Sequence, residues 1–323
     1  MKTPSFWTKT SGVSSLLEPI GMLYGLAGRV RFALARPHRA SVPVICVGNI
    51  VAGGAGKTPI AIAVAERLQA HGKTVHFLTR GYGGNEHGPL LVDVNQHTFE
   101  QVGDEPLLLA RTAPTWVARD RVKGAEAAVV GGAEILVMDD GFQNPTLIKD
   151  LSLVVVDGGF GFGNRRLLPA GPLREPLERG LARASGVVVL GRDRVNVGEV
   201  LPPTLPRLTA WLRPGLEAES LVGRNVVAFA GIGRPDKFLS TLKDLGARIM
   251  AWHPFADHYP YAASDIQPIL DEAYALHAVP VTTAKDAVRL PKDQRQQVTI
   301  LTVKAVWDNE EPLTRLLEPF LSS

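Results

Sequence analysis

The hydrophobic positions of this chain fall into short unbroken runs separated by segments of helical period, the pattern of alternating strands and helices. Val44 to Val47 is four apolar residues in a row and reads as a short buried parallel strand. A glycine-rich turn follows. From Thr58 onward the apolar residues Ala61, Val64, Ala65 and Leu68 recur at helical spacing. Further strands are predicted at Thr74 to Thr79, Ile135 to Met138, Leu153 to Asp157 and Val187 to Leu190, with a helical run at Leu107 to Arg111. The proline-rich stretch Leu201 to Pro214 reads as a linker. Beyond it, Asn225 to Gly231 restarts a strand, a helix runs through Leu245, and strands near Arg248 to Trp252, Val279 to Thr282 and Val298 to Val303 suggest a smaller α/β unit.

Ahead of the first strand, Leu16, Ile20, Leu23, Ala27, Val30 and Leu34 share one helical stripe, and Arg29, Arg31, Arg36, His38 and Arg39 crowd its far end. The longest uncharged run there, Pro19 to Gly28, is ten residues, whereas a bilayer span takes about 20. Glu18 interrupts the lead-in and no small-residue cleavage site follows, which argues against a signal peptide. Two readings remain open from periodicity: a helix packed on its own protein, or one lying in a membrane interface.

Composition narrows the class. With 323 residues, 45% of them hydrophobic, the chain can fill two cores and is not disordered. A net charge of +3 is too small to argue for nucleic acid but suits anionic phosphates or an anionic membrane surface. The single cysteine, Cys46, excludes an intrachain disulfide.

The candidate chemistry centres on VICVGNIVAGGAGKTPI, residues 44–60. Strand, glycine loop, Gly-Lys-Thr and helix in that order is the phosphate-loop arrangement. Gly53, Gly54, Ala55 and Gly56 would curl the backbone so that N–H groups face phosphate oxygens. Lys57 would reach the β- and γ-phosphates, Thr58 would hold Mg²⁺, and the helix N-terminus would add positive potential. The strict pattern asks for glycine where this chain has Val51. Asp139 and Asp140 follow a hydrophobic strand on the same sheet edge, where P-loop proteins hold their metal. Arg174 beside Glu175, in a turn-rich segment, suits a phosphate clamp with one more acidic group near the metal, or a surface ion pair. Arg80, after the second strand, lies where open α/β sheets bind ligands, or is a solvated arginine in a turn. Asp104 or Glu105 opens a helix and by itself reads as a cap before it reads as a catalytic group, and Asp257 beside His258 could serve proton transfer or, more simply, structure.

Together VGNIVAGGAGKTP (47–59), LTRGYGG (78–84), GDEP (103–106), DDGFQN (139–144), LPAGPLREP (168–176), FAGIGRPDKF (229–238), FADHYPY (255–261) and TTAKDAVR (282–289) resemble the tetraacyldisaccharide 4′-kinase family, the lipid A kinases of Gram-negative bacteria. The likeness covers nearly the whole chain in order. It implies a P-loop NTPase-like α/β fold, with a mostly parallel sheet flanked by helices and a second, smaller α/β domain. The expected division is a membrane-interface helix in residues 1–40, a kinase core in 41–214 and the smaller domain in 215–323.

The resemblance further implies transfer of the γ-phosphate of ATP to the 4′-hydroxyl of an acylated disaccharide 1-phosphate, giving lipid IVA. The enzyme is then expected to be a monomer attached peripherally to the cytoplasmic face of the inner membrane, with no nucleic-acid partner. In the family the aspartate of GDEP is regarded as the base and the histidine of the DH pair as its partner, here Asp104 and His258. Lys57 would neutralise the transferring group, Thr58 with Asp139 or Asp140 and Glu175 would hold Mg²⁺, and Arg174 would add charge. Two positions depart from the usual family pattern, Asn144 in place of histidine and Ala284 in place of glutamate.

Overall fold

The structure, a computed structural model, describes residues 4–321. The outermost residues of the expected segments 1–40 and 215–323 therefore lie outside the described residues. In chain order the strands are β1 (Val44–Gly48), β2 (Val75–Thr79), β3 (Leu90–Leu91), β4 (Thr115–Val117), β5 (Ile135–Asp139), β6 (Leu151–Asp157) and β7 (Gly186–Leu190). They continue as β8 (Arg207–Pro214), β9 (Asn225–Ala230), β10 (Arg248–Pro254), β11 (Val279–Thr283), β12 (Thr299–Leu301) and β13 (Val303–Trp307).

Nine strands form one sheet in the order β13-β8-β7-β6-β1-β5-β2-β4-β3, and four form a second, β10-β9-β11-β12. Both are parallel except for the edge pairs β13–β8 and β3–β4 of the large sheet. Every residue of β1, β2 and β5 is buried, as expected of central parallel strands covered on both faces. Alternation divides their side chains: Val44 and Cys46 enter one core, Ile45 and Val47 the other. The helix Lys57–Gln69 covers the second face through Ile60, Ala61, Val64, Ala65 and Leu68.

Two segments differ from the sequence reading. The expected linker 201–214 holds β8, which pairs parallel with β7 and antiparallel with β13. Its prolines at 202, 203 and 206 precede the strand, and the alternation that buries Leu208 and Ala210 governs the rest. The C-terminal segment, expected in the smaller unit, returns to the large sheet: β13 caps its edge, and the helix Glu311–Leu321 buries Leu313 and Leu317 in the core with Ile45 and Val47.

The N-terminal helix Gly12–Leu34 is capped reciprocally by Ser11 and Ser14. Its predicted apolar stripe faces outward, with Leu16 80%, Leu23 66% and Leu34 77% exposed. The fully buried positions of the docked face are small residues. Ser14, Gly21 and Gly25 are buried, and a Cβ at Gly25 would stand 2.6 Å from Leu167. Among the described residues no helix is long and apolar enough to cross a membrane.

Candidate active site

Parallel pairing of β1 with β5 sets the site, because it places Val47 opposite Asp139 and carries both strand ends to one edge. The loop leaving β1 has Gly53 and Gly56 at φ of 105° and 80°, backbone that favours glycine. At Gly56 a side chain would also strike Leu190 of β7. Val51 is accommodated because the loop pairs here with a neighbouring segment: Val51 bridges Leu173, and Ala52 N–H donates to the Pro172 carbonyl at 2.7 Å.

Lys57 and Thr58 open the helix behind this loop. Thr58 Oγ1 donates to Asp139 Oδ2 at 2.9 Å, and Lys57 Nζ lies 3.6 Å from Asp140 Oδ1. Arg174 Nη1 donates to the same Asp140 oxygen at 2.9 Å. Asp140 adopts φ of 55° and its N–H donates to the Val47 carbonyl at 3.0 Å, so this non-glycine residue is held in left-handed backbone by its own pairing. Burial raises the Asp139 carboxyl to about 7, Glu105 adds to the rise, and Lys57 opposes it. Burial also works to raise Asp140, but Lys57 and Arg174 outweigh it and hold that carboxyl below the usual range. Asp139 Oδ1 is buried and finds no hydrogen-bond partner among the described residues.

A second constellation forms between the two sheets. Gly103, at φ of 91°, lies against the Tyr82 carbonyl and starts the helix Asp104–Leu109. Asp104 is buried; its Oδ1 accepts from Glu105 N–H and its Oδ2 from His258 Nδ1, both at 2.9 Å. His258 occupies left-handed backbone at φ of 58°, fixed by its N–H bond to the Gly231 carbonyl at 3.0 Å. Arg289, also buried, places Nε 3.7 Å from Asp104 Oδ2 and donates to the carbonyls of Tyr259 and Gly231 at 3.0 Å. Lys285 Nζ meets Glu105 Oε1 at 2.8 Å. Burial tends to raise Asp104, yet the His258 hydrogen bond, Lys285 and Arg289 together hold it below the ordinary carboxylate value. The Asp104 bond raises His258 against the opposing effect of burial. Asp257, the sequence neighbour, lies farther off, 3.8 Å from Nε2.

Lys57, Thr58, Asp139, Asp140 and Arg174 thus form one cluster, and Asp104 and His258 a second. Glu105 joins them electrostatically, acting on Asp139 while it pairs with Lys285. Glu175 stands apart from both clusters in its bonds: Arg183 and Gln143 Nε2, the latter at 3.0 Å, occupy its two oxygens. Lys285 and Arg289 were not assigned from sequence, although both fall within TTAKDAVR, and Gln143 lies within DDGFQN. Arg183 had no sequence signal. Asn144 departs from the family pattern and caps a turn here, its Oδ1 accepting from the N–H groups of Thr146 and Leu147 at 3.1 and 3.2 Å.

The family model for tetraacyldisaccharide-1-P 4′-kinase matches residues 13–322. The tetraacyldisaccharide 4′-kinase of Rhodospirillum rubrum is 60% identical over 317 residues, covering 97% of this chain and 95% of the relative. That of Paramagnetospirillum magneticum is 56% identical over 319 residues, 98% of each chain. The crystal structure of the "apo" form of LpxK from Aquifex aeolicus in complex with ATP superposes with a TM-score of 0.79 at 30% identity, over 96% of this chain and 99% of that one. The chain belongs to the tetraacyldisaccharide-1-P 4′-kinase family.

Proposed function

We propose that this protein transfers the γ-phosphate of ATP to the 4′-hydroxyl of a tetraacylated disaccharide 1-phosphate, yielding lipid IVA for lipid A synthesis. One observation carries the assignment of roles: a buried carboxylate, Asp104, bonded to His258 and to the N–H of Glu105, whose own charge acts on Asp139. A sugar hydroxyl is a poor nucleophile until its proton has somewhere to go. Asp104 takes that proton as the 4′-oxygen bonds to the γ-phosphorus, the bond from phosphorus to the β–γ bridging oxygen breaks, and ADP leaves. His258 holds Oδ2 and stabilises the carboxylate by its charge. Lys57 and Arg174 exchange Asp140 for phosphate oxygens.

Mg²⁺ fits the same corner. The Thr58 hydroxyl and Asp139, whose Oδ1 is buried without a partner among the described residues, are hard oxygen donors of the kind this ion takes alongside phosphates. Bound there, Mg²⁺ would neutralise charge on the phosphates. Asp140, once released by its two cations, is the next available carboxylate. Glu175 would first have to leave Arg183.

The division of labour follows the sheets. Residues 41–214, with the returning C-terminal strand and helix, form the phosphate-binding core. The four-stranded unit beyond residue 214 brings His258, Lys285 and Arg289 to Asp104. The outward apolar stripe of residues 12–34, ending in arginines, rests on the cytoplasmic surface of the inner membrane, where the acylated substrate lies. Incubation with Mg²⁺, γ-labelled ATP and either the acylated or the deacylated disaccharide tests this function. Label in the acylated sugar is expected; release of inorganic phosphate with neither sugar labelled would replace the kinase by a nucleotide-dependent switch.

A further inference from the structure

The last turn of the N-terminal helix reaches past the membrane-facing role given to its outer stripe. Phe32 lies on the opposite side, half-buried, with the guanidinium carbon of Arg183 4.6 Å from its ring centroid. The same guanidinium carbon lies 4.5 Å from the Phe142 ring centroid. Arg183 therefore packs against both a ring from the N-terminal helix and a ring from the loop that follows Asp139 and Asp140.

From Arg183 the bonds lead directly into the phosphate site. Arg183 pairs with Glu175 Oε2 and donates to the Phe142 carbonyl at 3.3 Å. Glu175 Oε1 accepts from Gln143 Nε2, which also donates to the Asn49 carbonyl at the root of the phosphate loop, at 2.7 Å. Arg174, next to Glu175, donates its N–H to the Ile50 carbonyl at 2.8 Å and its guanidinium to Asp140. Arg31, adjacent to Phe32, donates to the Gln143 carbonyl.

We propose that Phe32 and Arg183 are positioning residues of the kinase, fixing through Glu175 and Gln143 the relative placement of the phosphate loop and the Asp139–Asp140 loop. The inference rests on the kinase reading above. In-line transfer demands that Lys57 and the metal-holding carboxylates keep their spacing to a fraction of an ångström, and the Gln143 bond to the Asn49 carbonyl ties the two loops together beyond the β1–β5 pairing. Arginine suits the place because a planar guanidinium can lie against aromatic rings and still present its edge to a carboxylate. The helix that meets the lipid surface thereby also braces the catalytic loops.

The test compares Phe32→Leu, Phe32→Tyr and Arg183→Lys with the unaltered full chain in detergent micelles, where attachment to a membrane plays no part. Positioning predicts that Phe32→Leu and Arg183→Lys lower kcat about tenfold or more while the lipid KM stays within about twofold. Phe32→Tyr, which keeps the ring, restores kcat. Wild-type kcat in both Phe32→Leu and Arg183→Lys would overturn the proposal, as would a rise in lipid KM alone, which would confine the helix to lipid binding. A Phe32→Leu chain with a lowered melting temperature leaves Arg183→Lys to decide. Failure of the unaltered protein to phosphorylate the lipid would instead refute the underlying kinase reading.

Discussion

His258 Nδ1 and Asp104 Oδ2 stand 2.9 Å apart although 154 residues separate them in the chain. Each group moves the other's proton equilibrium in the direction that favours the charged pair: the bond raises His258, and Asp104, despite burial, is held low. The signs define the stability window. The His258 contribution is complete below the ordinary histidine value and is lost as pH rises through its raised one. The Asp104 contribution is present above the ordinary carboxylate value and disappears as pH falls through its lowered one. Between those limits both act. Replacing Asp104 by Asn should move the His258 imidazole titration to lower pH, read by NMR of the ring carbons. An unmoved titration would mean that the carboxylate does not set the charge of His258.

Lys57→Ala should remove phosphate transfer by at least ~100-fold, because a preorganised cation at the transferring group is lost in a water-poor site. ATP affinity, measured by calorimetry, should weaken as well, since the same ammonium meets the nucleotide before reaction. A variant that loses turnover but binds ATP as tightly as the parent would restrict Lys57 to the transition state.

Local patterns made the phosphate-loop half of the site legible. The run from Val44 to Thr58 encodes strand, turn and helix within a few residues, and Asp139 arrives at the same edge because parallel pairing forces it there. Asp104 and His258 were different. Each had a stronger local explanation, as a cap and as half of a structural Asp-His loop pair, and only the family resemblance joined them. Lys285 and Arg289 act through contacts between the two sheets that no periodicity reports. Residues 207–214 were misread because the flanking prolines signal a linker, while the alternation of Leu208 and Ala210 needs β7 and β13 beside it to be recognised. The N-terminal helix shows the same limit: its apolar stripe is conspicuous, but the residues it buries are serine and glycine, which carry no hydrophobic signal.

The two sheets are also joined by Asp157, at the end of β6, which pairs with Arg234 at 2.8 Å and with Lys237. Its carboxylate is buried, 4% exposed, while Lys237 is half in solvent at 56%. Asp157→Asn should therefore cost about 1.5–3 kcal/mol, the range of a hydrogen bond to a charged group, because the orphaned cations can still be hydrated. Urea denaturation checks this. A loss of ~4 kcal/mol would show instead that the cations are left dry.

Leu16→Glu with Leu23→Glu should weaken sedimentation with anionic phospholipid vesicles while leaving the melting temperature within about 2 °C of the parent, since both side chains are exposed and each surface change costs little. The docking contacts of Gly21 and Gly25 on Leu167 remain intact in this variant. Unchanged vesicle binding would detach the outer stripe from the membrane.

Whether Asp104 receives the proton of the 4′-hydroxyl is decided by the turnover of purified Asp104→Ala at saturating ATP and lipid, with ATP affinity measured on the same sample. A general base at this position makes kcat fall ~10²- to 10⁴-fold, with ATP binding within about threefold of the parent. Turnover close to that of the unaltered enzyme would mean that the proton goes elsewhere.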